Sequence, residues 1–111
     1  MFVFFNERQA PPVKNQPAVA VRSWCVMQAG NRDRHLLAVL ESGSLRITSP
    51  LAGFCPVQCE LTTESGRRYQ LLGPPERQQP QLGLMHTNAL RSGLLDATDV
   101  SDELWHLVGQ H

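Results

Sequence analysis

This sequence has no net charge, a single lysine and no long apolar run. Ten basic residues balance ten acidic ones across 111 residues, so no overall field steers the chain to nucleic acid or anionic lipid. Nine of the ten basic residues are arginine, a bias that codon usage in a GC-rich genome explains without a function. The longest apolar stretches fall far short of the roughly 18 residues that a membrane-spanning helix needs. Length and composition predict one globular domain, residues 1–111, without membrane contact.

Cysteine is also scarce, and its pattern is not that of a secreted protein. The three cysteines, Cys25, Cys55 and Cys59, are odd in number, so they cannot all pair with one another. The first five residues are a short apolar run that lacks the basic start and the small-residue cleavage site of a signal peptide. We therefore expect a reduced, cytoplasmic protein with three free thiols.

No motif that carries chemistry is complete in this sequence. Cys55 and Cys59 are one residue too far apart for a tight Cys-x-x-Cys zinc knuckle, and there is no second cysteine pair. A metal site would need Cys25 together with His35 or His86, brought in by the fold. A Gly-x-Ser-x-Gly elbow, a phosphate loop and an EF-hand are all missing. The sequence thus predicts structural cysteines and no metal, cofactor or catalytic residue, which leaves a small enzyme as the third functional hypothesis.

The most informative pattern is Glu-Ser-Gly, which occurs at residues 41–43 and again at 64–66, each time between two strand-like segments. A three-residue loop with its glycine in the left-handed conformation would close each hairpin. In the second hairpin, this loop places Leu61 opposite Tyr69 on an apolar face and leaves polar side chains on the other. A two-residue loop would mix the two faces. The pattern therefore predicts two hairpins whose glycines both have positive φ.

The same register in the first hairpin pairs Leu37 with Ile47 and Val39 with Leu45. The strand at residues 36–40 is then apolar on both faces, which indicates a central strand covered on its second side by a helix or by the curl of a barrel. We expect the apolar positions of both hairpins to be largely buried. The alternate positions of the second hairpin should be mostly exposed: Glu60, Thr62, Arg68 and Gln70.

Proline marks the segments that are expected to lack regular structure. Residues 6–17 contain three prolines and are predicted to form a loop or linker. Pro50 is expected to end the strand that starts at Ser44, because proline cannot donate to the ladder. Residues 51–56 then cross to the second hairpin. The polar, glutamine-rich stretch at 74–83 is predicted to be a mobile loop.

Two helices are predicted after the last strand. Residues 84–91 fit a helix that Gly93 closes, and residues 101–108 fit a second one. Asp99 or Ser101 can cap the second helix, and its acidic first turn suits the helix dipole. The sequence as a whole predicts a β-rich α+β fold: an antiparallel meander of about five strands, curled or small-barrel-like, with a C-terminal helix against it.

The N-terminal run carries three aromatic residues, Phe2, Phe4 and Phe5. An exposed run of this kind is a liability in a monomer, so it is expected to pair in its own sheet or to dock on a second copy. We predict that at least two of these phenylalanines are buried. A homodimer is favoured over a monomer, because a surface of zero net charge does not oppose association.

Non-catalytic binding of an unidentified protein partner is the function that the sequence favours. A sheet edge, a proline-rich arm and an apolar N-terminus all suit docking. The alternative is a small nucleic-acid-binding β-barrel. For either partner, the predicted binding residues are three arginines that could align at solvent-facing strand positions: Arg22, Arg46 and Arg68.

Overall fold

The computed structural model describes residues 4–94 and 96–108, apart from the side chains of Phe4, Phe5, Arg8 and Val108. These residues form a β-rich α+β fold, as predicted, but with eight strands instead of about five. Two of the extra strands are only three and two residues long, too short for a periodic pattern to reveal. The elements are β1 (Phe4–Asn6), a 3-10 turn (Glu7–Gln9), β2 (Ala18–Val21), β3 (Ser23–Gln28), β4 (Arg34–Val39), β5 (Leu45–Cys55), β6 (Glu60–Thr63), β7 (Arg68–Leu71), α1 (Gln81–Arg91), β8 (Thr98–Asp99) and α2 (Ser101–Val108).

Both Glu-Ser-Gly segments close hairpins in the predicted register. Gly43 and Gly66 have φ angles of 90° and 94°, the left-handed conformation that a three-residue loop requires of its last residue. Their positive φ is therefore confirmed. The predicted Cα partners are confirmed as well: Leu37 with Ile47, Val39 with Leu45, and Leu61 with Tyr69.

The sheet curls because two long segments, β5 and the continuous β2–β3, each pair with one strand along their first part and with another strand along their second part. β5 is 11 residues long and pairs first with β4 and then with β6. β2 leads into β3 with only Arg22 between them, and β3 pairs with β4 while β2 pairs with β7. The meander from β2–β3 to β7 thus has five segments. Because that number is odd, the first and last segments run in the same direction, and β2 meets β7 as a parallel pair.

β5 continues through Pro50, so the prediction that this proline ends the strand is wrong. His35 is the Cα partner of Pro50, and the register of β4 against β5 shifts directly after it. At this bulge, the N–H of Leu36 donates to the Thr48 hydroxyl at 3.1 Å. The Pro50 carbonyl accepts from the N–H of Glu64 on the other side at 2.8 Å. A bulge needs no regular ladder donor, which is why proline is tolerated here.

β6 starts at Glu60, later than the alternation in the sequence suggests. Residues 56–59 form a turn instead of strand, and Val57 at its tip is 89% exposed. Cys59 has a φ of 55°, which breaks the extended backbone that alternation requires. The register nevertheless continues through it, because the N–H of Leu71 donates to the Cys59 carbonyl at 2.9 Å.

The inside of the curl is filled by one apolar cluster, and α2 closes one of its ends. Leu104 of α2 is buried in this cluster, and the ring of Trp105 lies 5.9 Å from that of Trp24. The Ser101 hydroxyl accepts from the N–H of Val26 at 2.8 Å, which fastens the start of α2 to β3. The buried residues of this cluster are Val21, Trp24, Val26, Leu36, Ala38, Leu61, Tyr69, Leu71 and Leu104.

A second apolar cluster lies outside the curl, where α1 covers β3, β4 and the start of β5. β4 is therefore buried on both faces, and it is a helix that covers its second side, as its apolar sequence predicts. α1 begins at Gln81, so it includes the last part of the segment 74–83, and it ends before Gly93, which has a φ of 89°. The cluster consists of Cys25, Met27, Leu37, Leu45, Ile47, Met85 and Ala89.

Burial follows the predicted alternation most closely in β7, whose residues are exposed and buried in turn. The burial predicted for the hairpin leucines, Ile47 and Tyr69 is confirmed. Val39, which was expected to be buried, is only half-buried, and so are Glu60 and Thr62, which were expected to be exposed. β6 has a neighbouring strand on each side, so cross-strand side chains cover part of its polar face.

β1 gives the N-terminal segment a place in the sheet. Residues Phe4–Asn6 pair in parallel with Leu45 to Ile47 of β5, so the segment joins its own sheet, the first of the two alternatives predicted. The predicted burial of Phe2, Phe4 and Phe5 concerns side chains outside those described.

Candidate functional site

Of the three arginines predicted to bind a partner, Arg46 does not lie on the surface. It is 2% exposed, and its Nη1 donates inside the curl to Gln16 Oε1 at 3.0 Å and to the Tyr69 hydroxyl at 3.3 Å. The prediction placed Arg46 outside because Leu45 and Ile47 form the apolar face of β5. That face packs against α1, so the polar face of β5 is the one that turns inward.

Arg22 and Arg68 do reach solvent, Arg22 directly after β2 and Arg68 in the neighbouring β7. Both residues are exposed. Ala18 is the Cα partner of Arg68, and the same strand direction leads through Ala20 to Arg22. At the rise of a β-strand, the two arginine positions are about 13 Å apart along the strands. The fold thus places two of the three predicted residues at solvent-exposed positions of neighbouring segments.

The side of β2 away from β7 is an open edge. β2 is the last strand in the hydrogen-bonded order of the described sheet. Toward β7, the Pro17 carbonyl accepts from the N–H of Arg68 at 2.9 Å, and the Val21 carbonyl accepts from the N–H of Leu72 at 2.8 Å. A strand bonds to each neighbour through alternate residues. The backbone groups of the intervening positions, such as Ala20, therefore point to the open side.

A cavity of about 340 Å³ borders this edge. Val39, Leu40 and Leu72 give it an apolar lining, and Arg22 and Glu41 add one charge of each sign. An open strand edge beside an apolar cavity is an arrangement to which an extended peptide can add as a further strand. The edge of residues 18–21 together with this cavity is called the β2 edge site below.

A buried ion pair involves the residue directly before Arg68. Arg67 is 1% exposed, although its neighbour Arg68 faces solvent, and its Nη1 lies 3.3 Å from Glu7 Oε1. The same carboxylate accepts from the Ser65 hydroxyl at 2.8 Å and from the Tyr69 hydroxyl at 2.6 Å. The 3-10 turn after β1 therefore carries the acid that neutralises a buried guanidinium.

Arg67 also fastens the proline-containing segment 6–17 to the barrel. Its Nε donates to the Gln16 carbonyl at 2.8 Å, and its Nη2 donates to the Pro11 carbonyl. A single planar guanidinium can make all these contacts because its donors form a rigid fork. The sequence could not show that Arg67 and Arg46 are the arginines that turn inward.

This network raises the pKa of Tyr69 above its ordinary value. Burial disfavours the charged phenolate, and the hydrogen bond to Glu7 raises the pKa further because the phenol must keep its proton to donate. The Arg46 guanidinium acts in the opposite direction but does not cancel these effects. Tyr69 therefore remains a neutral donor to Glu7 at neutral pH.

We expect Tyr69 to titrate at a higher pH in the folded protein than in the unfolded chain. It is the single tyrosine of the sequence, so phenolate absorbance reports on this residue alone. Because the folded pKa is raised, the contribution of the phenol to stability is fully present below the unfolded pKa of about 10. That contribution is lost as the pH rises through the folded pKa.

Absorbance titrations with and without denaturant measure the two midpoints, and urea unfolding on both sides of about pH 10 measures the stability. Tyr69→Phe is the control: this variant should lose the part of the pH dependence that the phenol contributes and keep the part that comes from the raised pKa values of Cys25 and Cys59. Coincident midpoints in the folded and unfolded states would contradict the prediction.

Three potential metal ligands meet where β3 faces α1. They are Cys25 of β3, His86 of α1 and Asp99 of β8, whose ligand atoms all lie within 4.8 Å of one another. His86 Nε2 is 2.7 Å from Asp99 Oδ2. His35 and His86 were the two histidines named from the sequence as possible metal ligands beside Cys25, and the fold places His86 there. The ring of His35 is instead bonded through Nδ1 to the Thr48 carbonyl at 2.9 Å.

The Asp99 carboxylate has a fixed orientation. Its Oδ1 accepts from the N–H and the hydroxyl of Ser101 at 2.9 Å and 2.5 Å, so it caps α2 as the sequence predicts. Its other oxygen, Oδ2, faces His86. Burial alone would raise the pKa of Asp99, but the hydrogen bonds from Ser101 and His86 outweigh burial and hold it below its ordinary value.

Cys25 is fully buried, and burial, assisted by the charge of Asp99, raises the pKa of its thiol far above the ordinary value. A protonated thiol is a poor nucleophile, so the cluster does not have the electrostatics of a Cys–His catalytic pair. Burial also raises the pKa of Cys59. All three thiols, including that of Cys55, are free in this fold.

No protein-family model matches this chain, and no curated protein or solved structure is significantly similar to it. Among the described helices, none is both long and apolar enough to span a membrane. The functional conclusion therefore depends on the β2 edge site and on the cluster of Cys25, His86 and Asp99.

Proposed function

We propose that the protein is a non-catalytic binding module that takes up an extended segment of a partner protein at the β2 edge site. The observation that carries this proposal is the open edge of β2 beside an apolar cavity. Backbone pairing with the edge would supply affinity for any extended chain. A side chain entering the cavity would supply selectivity.

The lining of the cavity defines the chemistry of the partner segment. Leu40 and Leu72 favour an aliphatic side chain of the partner. Leu72 is exposed in the free protein, so a bound side chain would bury it. Arg22 and Glu41 suit flanking residues of opposite charge to their own, although exposed ion pairs of this kind contribute only about 0–1 kcal/mol each. The expected ligand is therefore an extended peptide with one aliphatic anchor between charged residues.

Nucleic acid is a weaker candidate for the same site. Of the arginines near it, Arg46 and Arg67 are held in internal bonds, which leaves Arg22 and Arg68 for phosphate contacts. Binding of single strands also relies on exposed aromatic rings on which bases stack. Trp24 is fully buried, and so is Tyr69, so neither ring is available for stacking.

A second copy of the chain is a further source of the partner segment. Two β2 edges could pair about a two-fold axis, which would give the homodimer predicted from the sequence. The homodimer and the cytoplasmic location both remain predictions. The measurements below separate self-pairing from pairing with a different protein.

Panning a displayed library of random peptides against the immobilised full chain tests the proposal. We expect enriched peptides with an alternating pattern and an aliphatic anchor. Their binding should protect the open-side amide of Ala20 from hydrogen exchange. Ala20→Pro removes that amide without touching a bond to β7, since proline is tolerated at an open strand edge. This variant and Leu72→Ser should each weaken binding at least tenfold.

Leu90→Ser is the matched control, because Leu90 is exposed on α1, and its affinity for the peptides should be unchanged. A wild-type mass of two chains by light scattering, reduced to one chain by Ala20→Pro, would identify the partner segment as β2 of a second copy. Equal peptide binding by Ala20→Pro would overturn the proposal. Failure of panning together with salt-dependent binding of single-stranded RNA would establish the nucleic-acid alternative.

A further inference from the structure

We propose that Cys25, His86 and Asp99 bind Zn²⁺, which would tie α1 and β8 to β3. A thiolate, an imidazole and a carboxylate are the three kinds of side chain that zinc prefers in proteins. Three protein ligands would leave a fourth tetrahedral position for water. The ligands come from three separate elements, so the site has no local sequence motif.

The distances fit a zinc ion after a small adjustment. Zinc lies about 2.3 Å from sulfur and about 2.0–2.1 Å from nitrogen and oxygen, so tetrahedral ligand atoms are about 3.3–3.6 Å apart. The three ligand atoms already lie within 4.8 Å of one another. The 2.7 Å contact between His86 and Asp99 must widen by about half an ångström as the ion replaces the shared proton. His86 is partly exposed and can rotate away from Asp99, while Asp99 is held by Ser101 and Cys25 is fixed in the core.

The surroundings of the cluster already hold one ligand in place and give access to the site. Ser101 binds Oδ1 of Asp99 through two hydrogen bonds, the kind of outer contact that orients a metal ligand. A cavity of about 240 Å³ reaches both His86 and Asp99 from the outside, and its other walls are largely apolar. This cavity offers a path for the ion and room for a bound water molecule.

A divalent ion would also leave the cluster without net charge. When Zn²⁺ enters, the Cys25 thiol loses its proton to solvent and a Zn–S bond forms. The proton between His86 Nε2 and Asp99 is also released to solvent, and the imidazole that binds the ion carries its one proton on Nδ1. The thiolate and the Asp99 carboxylate then neutralise the two positive charges, and His86 binds as neutral imidazole. A neutral assembly limits the cost of holding charge beside the core. Sulfur and imidazole ligands favour zinc over magnesium or calcium, which prefer oxygen.

Titration of the chelator-treated full chain with Co²⁺, a spectroscopic substitute for zinc, tests the site. We expect one equivalent to bind, with a thiolate-to-cobalt charge-transfer band and the visible bands of a tetrahedral ion, all removed by added Zn²⁺. Cys25→Ala keeps the position apolar and should abolish the charge-transfer band. His86→Ala should weaken binding by about 100-fold or more, and Ser101→Ala by about 10–100-fold.

Cys55→Ser is the matched control, since it removes a thiol outside the cluster and should leave the spectrum unchanged. Urea unfolding verifies that each variant folds, and if Cys25→Ala does not, His86→Ala decides the matter because His86 is partly exposed. A Co²⁺ affinity that is unchanged in His86→Ala, or a charge-transfer band that disappears in Cys55→Ser, would overturn the proposal. So would the absence of stoichiometric binding. The β2 edge site shares no residue with this cluster, so either proposal can fail without the other.

Discussion

Arg67→Ala is expected to lower the free energy of unfolding by about 3–5 kcal/mol, the usual effect of removing one partner from a buried ion pair. The variant would leave the Glu7 carboxylate without its guanidinium and the carbonyls of Pro11 and Gln16 without a donor. Most of the cost should come from Glu7, whose side chain is only 9% exposed, because a buried charge that loses its partner carries the cost of its desolvation. The same substitution at Arg68, which is exposed, should change stability by no more than about 0.5 kcal/mol.

Urea unfolding followed by tryptophan fluorescence compares these two adjacent arginines directly. Glu7→Gln and the double variant complete a mutant cycle, which should show coupling between Glu7 and Arg67 because each makes the other tolerable in the interior. A loss below about 1 kcal/mol for Arg67→Ala would mean that the pair is dispensable and that residues 6–17 are held by other contacts.

Leu36→Ala and Leu37→Ala are each expected to cost about 2–5 kcal/mol, the range for removing a buried leucine side chain. The two leucines are adjacent in β4 and point to opposite faces, yet both are fully buried. Leu36 packs inside the curl and Leu37 packs under α1. In a sheet that is covered on one face only, one of two neighbouring leucines would point to solvent, and replacing that leucine with alanine would change stability little.

The end of β7 provides that comparison, because Leu71 is its last residue and Leu72 directly follows the strand. Leu71 is 4% exposed and Leu72 is 43% exposed, so Leu71→Ala should cost as much as the β4 variants, whereas Leu72→Ala should cost well under half as much. Denaturant midpoints at constant slope give the differences. A small effect of Leu37→Ala would show that α1 does not pack against the sheet in solution.

The two hairpins could be predicted from the sequence because their determinants are local. Each glycine supplies the left-handed residue of its own loop, and alternation over a few positions fixes which side chains share a face. The apolar segment that became β4 also revealed that something must cover both of its faces. These features depend on residues that are close together in the chain, so no knowledge of the remaining fold was needed.

The errors arose where distant parts of the chain decide the outcome. Alternation in β5 separates Arg46 from Leu45 and Ile47, but only the placement of α1 determines which of the two faces is the inside. Pro50 is tolerated because β5 bulges against β4 at that point. The burial of Arg67 depends on Glu7, which lies far away in the sequence.

Each candidate site also has parts that the sequence predicted and parts that only the fold reveals. A sheet edge was expected from the sequence, but its identity as β2 required the strand order. Cys25 and His86 were recognised as possible partners, but no spacing rule connects them across a helix and a strand. From the sequence, Asp99 was predicted only to cap a helix, and its hydrogen bond from the N–H of Ser101 confirms that role. Its second oxygen becomes a potential ligand only after β8 pairs with β3.

We expect the parallel pairing of β2 with β7, which completes the curl of the sheet, to form late in folding. Ala18 must find Arg68, nearly half the chain away, whereas each hairpin closes over a few residues, and long-range closure costs more chain entropy. During synthesis, β2 leaves the ribosome first but must wait for β7. Both of its edges are free in that interval, which is when a strand is most prone to aggregate. Its shortness and its two alanines, which have low strand propensity, reduce this risk during the wait.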